Sequence, residues 1–147
     1  MADTISKKHR SWNMSRIKSA NTKPELSVRK ELFKRGHRYR LNGKVNRKVF
    51  AKGILPGKPD IVLAKYKKVI FVNGCFWHHH LRCRRATWPK TNREYWLTKI
   101  RNNIKRDKEN IITLNKLGWD VVVIWECETE NIKLQKKIDT IIKNLKN

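Results

Sequence analysis

Two apolar runs separated by a long helical segment constrain this chain more than any other feature. Lys68-Val-Ile-Phe-Val72 is β-branched and stops at Asn73-Gly74, and Trp119 to Trp125 (WDVVVIW) reads as a buried strand. Between them, the pattern from about Arg93 to Leu117 is helical and ends at Gly118. Strand, long helix and strand make a crossover unit, which implies parallel pairing. Asp60-Ile-Val-Leu-Ala64, just after Pro59, adds a further short strand, and the sheet is expected to be mixed. Upstream, Thr22-Lys23-Pro24-Glu25 is a helix start: Thr22 caps, Pro24 suits the first turn and Glu25 completes a capping box. Leu26, Leu32 and Phe33 give that helix an apolar stripe, and Gly36 stops it. Residues 37–41 read as a short strand and 42–58 as a loop broken by Gly43, Gly53, Pro56 and Gly57. Residues 129–145 read as an amphipathic closing helix. A length of 147 residues fits one domain, and the expected class is α/β, a mixed sheet flanked by helices.

Charge narrows the function. Lys and Arg number 36 against 12 Asp and Glu, a net charge of +24. Residues 109–147 balance 6 basic against 6 acidic groups, so the whole excess lies in the first 108. A neutral tail on a strongly basic body points to one face that meets a polyanion, with nucleic acid the leading candidate because each neutralised phosphate releases a counterion. No apolar stretch approaches the ~20 residues of a membrane span, and the first ten residues, MADTISKKHR, lack a secretory apolar segment. The expectation is a cytoplasmic protein, without a membrane partner, whose three cysteines stay reduced. Residues 1–20 are polar and basic and read as an arm that orders on a partner.

The densest chemical signal is Gly74-Cys75-Phe76-Trp77-His78-His79-His80-Leu81-Arg82-Cys83, with Cys127 just past the last strand. Cys75, His80, Cys83 and Cys127 would make the closed Cys₃His set that structural zinc uses, with His78 and His79 as the alternative imidazoles. The plain alternative is three unrelated buried thiols. A histidine left over beside a sheet end is a candidate general base or acid. Asp60, at a strand start in a basic protein, is a candidate Mg²⁺ ligand. On the long helix Trp96, Ile100, Ile104, Ile111 and Leu114 form one stripe, and Asp107 falls inside it. A carboxylate there needs a partner, and a histidine partner would make it the orienter of a base. Glu25 has two readings, capping-box acid or third acid of a site. Phe76, Trp77, Tyr95 and Trp96 place aromatic rings in or beside a basic loop, where they either pack on it or wedge between bases.

Taken in order, these segments resemble the very-short-patch repair (Vsr) DNA mismatch endonuclease family over nearly the full length. The matching stretches are Arg-Ser-Trp-Asn-Met (10–14), Thr-Lys-Pro-Glu (22–25), Leu-Pro-Gly-Lys-Pro-Asp (55–60), Gly-Cys-Phe-Trp-His (74–78), Pro-Lys-Thr-Asn (89–92), Tyr-Trp-Leu-Thr-Lys-Ile (95–100), Arg-Asp (106–107) and Gly-Trp…Trp-Glu-Cys (118–127). The resemblance implies a restriction-endonuclease-like fold, a structural zinc and Mg²⁺-dependent nicking 5′ of the thymine in a T:G mismatch left by 5-methylcytosine deamination. It implies that Asp60 and the backbone carbonyl of Val72 bind Mg²⁺, that His78 activates water, that Asp107 orients it and that Glu25 completes the site. Cys75, His80, Cys83 and Cys127 would hold zinc. Phe76, Trp77 and Trp96 would wedge into the duplex, with Met14 approaching from the other side. It further implies a basic DNA-contacting arm (1–20) on an endonuclease domain (21–147), a monomer on double-stranded DNA in the bacterial cytoplasm, and a mismatch-repair protein as a partner.

Three positions depart from the best-known members of that family. Val72 replaces Thr and Asn73 replaces His, and two residues rather than one separate His80 from Cys83, so the zinc loop must bulge. Competing readings are a homing or restriction-associated endonuclease on the same scaffold, a non-catalytic zinc-stapled DNA-binding module, and a ribosomal-type RNA-binding protein. The last explains the charge but not the Cys/His loop.

Overall fold

The computed structural model describes residues 21–145. In chain order they form α1 (Lys23–Lys34), β1 (Arg40–Leu41), β2 (Ile61–Leu63), β3 (Lys68–Asn73), α2 (Arg93–Lys116), β4 (Asp120–Trp125) and α3 (Asn131–Lys143), with single 3₁₀ turns at Ala64–Tyr66 and Glu126–Glu128. The sheet order is β1-β2-β3-β4. The first three strands pair antiparallel. β3 and β4 pair in parallel, in register from Lys68 opposite Asp120 to Asn73 opposite Trp125. The sheet is mixed, with α2 as the crossover, as the strand–helix–strand pattern requires.

Alternation along the strands divides the core between two faces. Ile61, Leu63, Ile70 and Ile124 pack with Val28 and Leu32 of α1 and Leu134, Ile138 and Ile141 of α3. Val62 and Val69 pack on the other face with Leu114 of α2, Trp119, and Val45 and Leu55 from the loop after β1. Helices therefore cover one face, and α2 with the long loop covers the other.

Several local features differ from the sequence pattern. In α1 only Leu32 of the expected stripe is buried, while Leu26 is 50% and Phe33 74% exposed. The inward face is instead Glu25, Val28, Arg29 and Leu32, three and four residues apart. Thr22 Oγ1 does accept the Glu25 N–H at 3.4 Å. The Glu25 carboxylate, however, reaches past the cap to the Asn21 N–H at 3.0 Å, because Arg29 grips both Glu25 and the Asn21 side chain. β4 is half-buried rather than buried, with Ile124 its one fully covered residue, because it is an edge strand. Both helix stops work as expected: the His37 N–H reaches the Leu32 carbonyl past Gly36 (φ +81°), and the Trp119 N–H reaches Leu114 past Gly118 (φ +88°).

Gly43 holds the entry to β2. A Cβ there would sit 2.9 Å from Lys58 Cα, and the Gly43 N–H donates to the Pro59 carbonyl at 2.7 Å. That close approach fixes the chain leading into Asp60. The packing makes a stability prediction. Ile138→Ala should cost about 2–5 kcal/mol in urea unfolding, as deletions at fully buried sites do. Phe33→Ala, at an exposed site, should change stability by no more than about 0.5 kcal/mol.

Candidate active site

An open cleft of about 850 Å³ lies where β3 ends and β2 begins, and Glu25, Asp60, Val72, Asn73, His78 and Asp107 are among its walls. β2 runs antiparallel to β3, so the residue just before β2 falls beside the end of β3. The Val72 N–H accordingly donates to Asp60 Oδ2 at 2.7 Å. Burial first and the nearby Glu25 charge second push the Asp60 carboxyl up to about 6, against the opposing pull of the Val72 N–H, His78 and Arg29. Glu25 is itself buried, at 4% exposure, and is held by Arg29 at 3.2 Å.

The histidines separate because the loop after Gly74 turns instead of extending. His78, His79 and His80 donate their backbone N–H groups to the Gly74, Phe76 and Cys75 carbonyls in turn. His78 faces the cleft, where its Nδ1 lies 2.5 Å from Asp107 Oδ2. Asp107 is thus the half-buried acid of the α2 stripe, and its partner is an imidazole. With Nδ1–H given to the carboxylate, Nε2 is left as the ring's free acceptor. His79 leaves the site and packs its ring on Trp88, 4.4 Å between centroids.

His80 turns to the thiols. Cys75, His80, Cys83 and Cys127 present four ligand atoms within 4.8 Å of one another. His80 Nδ1 lies 3.7 Å from Cys75 Sγ and 3.4 Å from Cys127 Sγ. Its ring stacks flat on Trp125, with 4.2 Å between centroids and 7° between planes. Arg82, between His80 and Cys83, takes a left-handed conformation (φ +61°). Burial pushes the Cys75 thiol up to about 12, whereas the backbone N–H of Arg85 holds Cys83 below its ordinary value. Arg85 also clamps this loop to Glu126 and Glu130.

An aromatic cluster forms the rim. Phe76, Trp77 and Trp96 meet pairwise at 5.4–5.5 Å between centroids, and Tyr95 packs edge-on against Trp96 at 5.2 Å. All but the exposed Tyr95 are half-buried. Lys99 Nζ sits 6.0 Å above the Trp77 ring. Lys58, Arg106 and Asn110 also line the cleft. Sequence reasoning missed these, and it missed Asn103, although Asn103 and Asn110 share α2 with Asp107 at spacings of four and three. Met14 and the rest of the arm at 1–20 lie outside the described residues. Among the described residues no helix is long and apolar enough to cross a membrane.

Carboxylates, an acid-oriented imidazole and an aromatic rim in a basic chain suit a nuclease that acts on DNA. The comparisons agree. The family model for DNA mismatch endonuclease Vsr matches residues 2–85. The chain is 44% identical over 147 residues to a type II nicking enzyme, V.NmeAIP, of Neisseria meningitidis serogroup A, covering 99% of this chain and 98% of the relative. It is 40% identical over 127 residues to the DNA mismatch endonuclease Vsr of Escherichia coli K12, covering 86% and 75%. A type II nicking enzyme of Xanthomonas oryzae, V.XorIIP, is 40% identical over 132 residues, 90% of each chain. The chain belongs to the Vsr DNA mismatch endonuclease family.

The raised Asp60 carboxyl has a consequence for stability. An unfolded Asp ionises near 3.8 and the folded one near 6, so the native state binds the extra proton between those values and stability falls as pH rises through them. In buffer free of divalent cations, Asp60→Asn should exceed wild type by about 3 kcal/mol in urea unfolding at pH 7.5. The gap should shrink as pH falls towards 4. A gap that widens on acidification would contradict the burial of this carboxylate.

Proposed function

We propose that this protein nicks DNA 5′ of the thymine in a T:G mismatch, as in very short patch repair of deaminated 5-methylcytosine, on a restriction-endonuclease-like scaffold. The observation that carries this reading is the adjacency of three consecutive residues: Phe76 and Trp77 on the aromatic rim and His78 against Asp107 in the cleft. One loop presents both a wedge for a weakened base pair and a base for hydrolysis.

Asp60 and the Val72 carbonyl would hold Mg²⁺. The Val72 N–H points at Asp60, and in an extended strand the carbonyl of the same residue points to the same side. A carboxylate raised by burial and by Glu25 suits a cation that restores its charged form. Bound there, the ion would polarise the scissile phosphate and stabilise the leaving 3′ oxygen. His78 Nε2 takes the proton from the attacking water, and Asp107 fixes the tautomer and balances the imidazolium. Glu25, pinned by Arg29 and the Asn21 N–H, completes the acidic wall.

The tetrad of Cys75, His80, Cys83 and Cys127 fits zinc. A tetrahedral ion with ordinary Zn–S and Zn–N bonds sets S···N edges of about 3.5 Å, and the two S···N separations here are 3.7 and 3.4 Å. Zinc ligation would stabilise the Cys75 and Cys127 thiolates, which burial disfavours, and would staple the loop to the end of β4.

Phe76, Trp77 and Trp96 would enter the duplex beside the mismatch, where unstacking costs least. Met14, on the basic arm 1–20, would approach from the other side, with 21–147 as the endonuclease domain. The protein would act as a monomer on double-stranded DNA in the bacterial cytoplasm, with a mismatch-repair protein as its further partner.

Asp60→Ala should reduce nicking of a T:G duplex to background in Mg²⁺ while leaving duplex affinity intact; full residual cutting by a metal-clean preparation would refute the assignment. Trp77→Ala should remove about 1–3 kcal/mol of stacking. Its loss should fall on the ratio of T:G to C:G affinity, measured by titration of labelled duplexes. Equal loss on both duplexes would count against the wedge.

A further inference from the structure

Helix α2 sets Lys99, Asn103 and Asp107 against the Gly74–Cys83 loop at four-residue steps, one above the next on a single face. Lys99 lies over the Trp77 ring and Asp107 binds the His78 ring. Between them, Asn103 Nδ2 donates to the Trp77 carbonyl at 2.9 Å. That carbonyl belongs to the peptide joining Trp77 to His78. The other half of the same peptide is also held, because the His78 N–H donates to the Gly74 carbonyl at 3.2 Å. Arg106 donates to Asn103 Oδ1 at 2.8 Å, which turns the amide so that its NH₂ faces Trp77. Both polar groups of one peptide are therefore pinned, one to the helix that carries Asp107 and one to the end of β3.

We propose that Asn103 is a positioning residue that couples the seating of the Trp77 ring to the placement of the His78 imidazole, through the peptide they share. The proposal rests on the wedge role of Trp77 and the base role of His78 in the proposed function. A ring that finds a weakened pair seats without disturbing the peptide, and His78 keeps its contact with Asp107. A ring pressed against a well-stacked pair pushes residue 77 back. Because the peptide is a rigid plane, that displacement strains the Asn103 bond and drags the imidazole off Asp107. Discrimination then acts on the chemical step as well as on binding. The Asp107 contact alone would orient the ring but would not report where Trp77 sits.

The test uses full-length Asn103→Ala and Asn103→Gln with two readouts. The first is the Nδ1 proton of His78 in the free protein, observed by NMR through its bond to Asp107. The second is the single-turnover nicking rate at saturating protein, with duplex affinity measured separately on T:G and C:G substrates. Asn103→Ala is expected to bring the Nδ1 proton into fast exchange with water. It should also lower the T:G nicking rate by about 10- to 100-fold, the cost of misplacing a reacting group by about 1 Å. Affinity should hold, and the rate preference for T:G over C:G should narrow. Asn103→Gln keeps an amide donor and should recover part of the rate. An unchanged proton signal with an unchanged rate would overturn the proposal. So would a loss confined to affinity, which would make Asn103 a DNA contact. If wild type shows no T:G preference but Asn103→Ala still frees the proton, the mismatch reading fails and the positioning role stands.

Discussion

Six in-register parallel pairs between β3 and β4 bring the ends of two strands to one level. What leaves those ends carries the candidate site. Cys75 follows β3 by two residues and Cys127 follows β4 by two, so the register places two thiols, distant in sequence, at the same edge. A slip of one residue would turn every side chain of β4 to the opposite face and would separate the tetrad. The buried Lys68, paired with Asp120 at 2.9 Å, holds the start of this ladder. Sites in α/β sheets gather at the carboxyl ends of parallel strands because only there do the loops converge. Antiparallel β2 adds Asp60 to that same end because it enters where β3 leaves.

Helix α2 is the second constraint. It connects the two parallel strands, so it must cross over the sheet, and in doing so its inner face passes the loop after β3. Its lower half, at Leu114, is core. Its upper half meets Trp77 and His78 through polar groups and rings. One rigid element thus registers the rim, the imidazole and the sheet against one another. The tetrad would tie the loop to the end of β4, and Arg85 adds a weaker clamp through exposed ion pairs.

Much of this was legible in the sequence, for definable reasons. The crossover was readable because β-branched runs and a helix of 24 residues leave little alternative topology. The donor set of Cys75, His80, Cys83 and Cys127 was readable because thiols and imidazoles that dense are uncommon, and the structure brings those four together. The position of Asp107 among apolar residues at helical spacing foretold a half-buried acid with a partner. The stripe on α1 was misread because Glu25 and Arg29 form a buried pair that takes the inward face from Leu26 and Phe33, and periodicity treats charged residues as outward. Asn103 was missed for a related reason: a polar residue beside an apolar stripe shows nothing until the carbonyl it binds is in place. The edge position of β4 was invisible because it depends on sheet order, which the sequence pattern does not contain.

The proposed activity is cleavage of DNA at a mismatch, in the cleft, with help from a divalent cation. The most direct measurement is strand cleavage on two duplexes identical except for one pair, T:G or C:G, in a cytosine-methylation context, with Mg²⁺ present and withheld. The expected result is a single nick 5′ of the thymine, only in the T:G duplex and only with Mg²⁺. Equal nicking of both duplexes would contradict it and favour an endonuclease for matched DNA. Tight binding of both duplexes without any cut would contradict it as well and favour a zinc-stapled binding module.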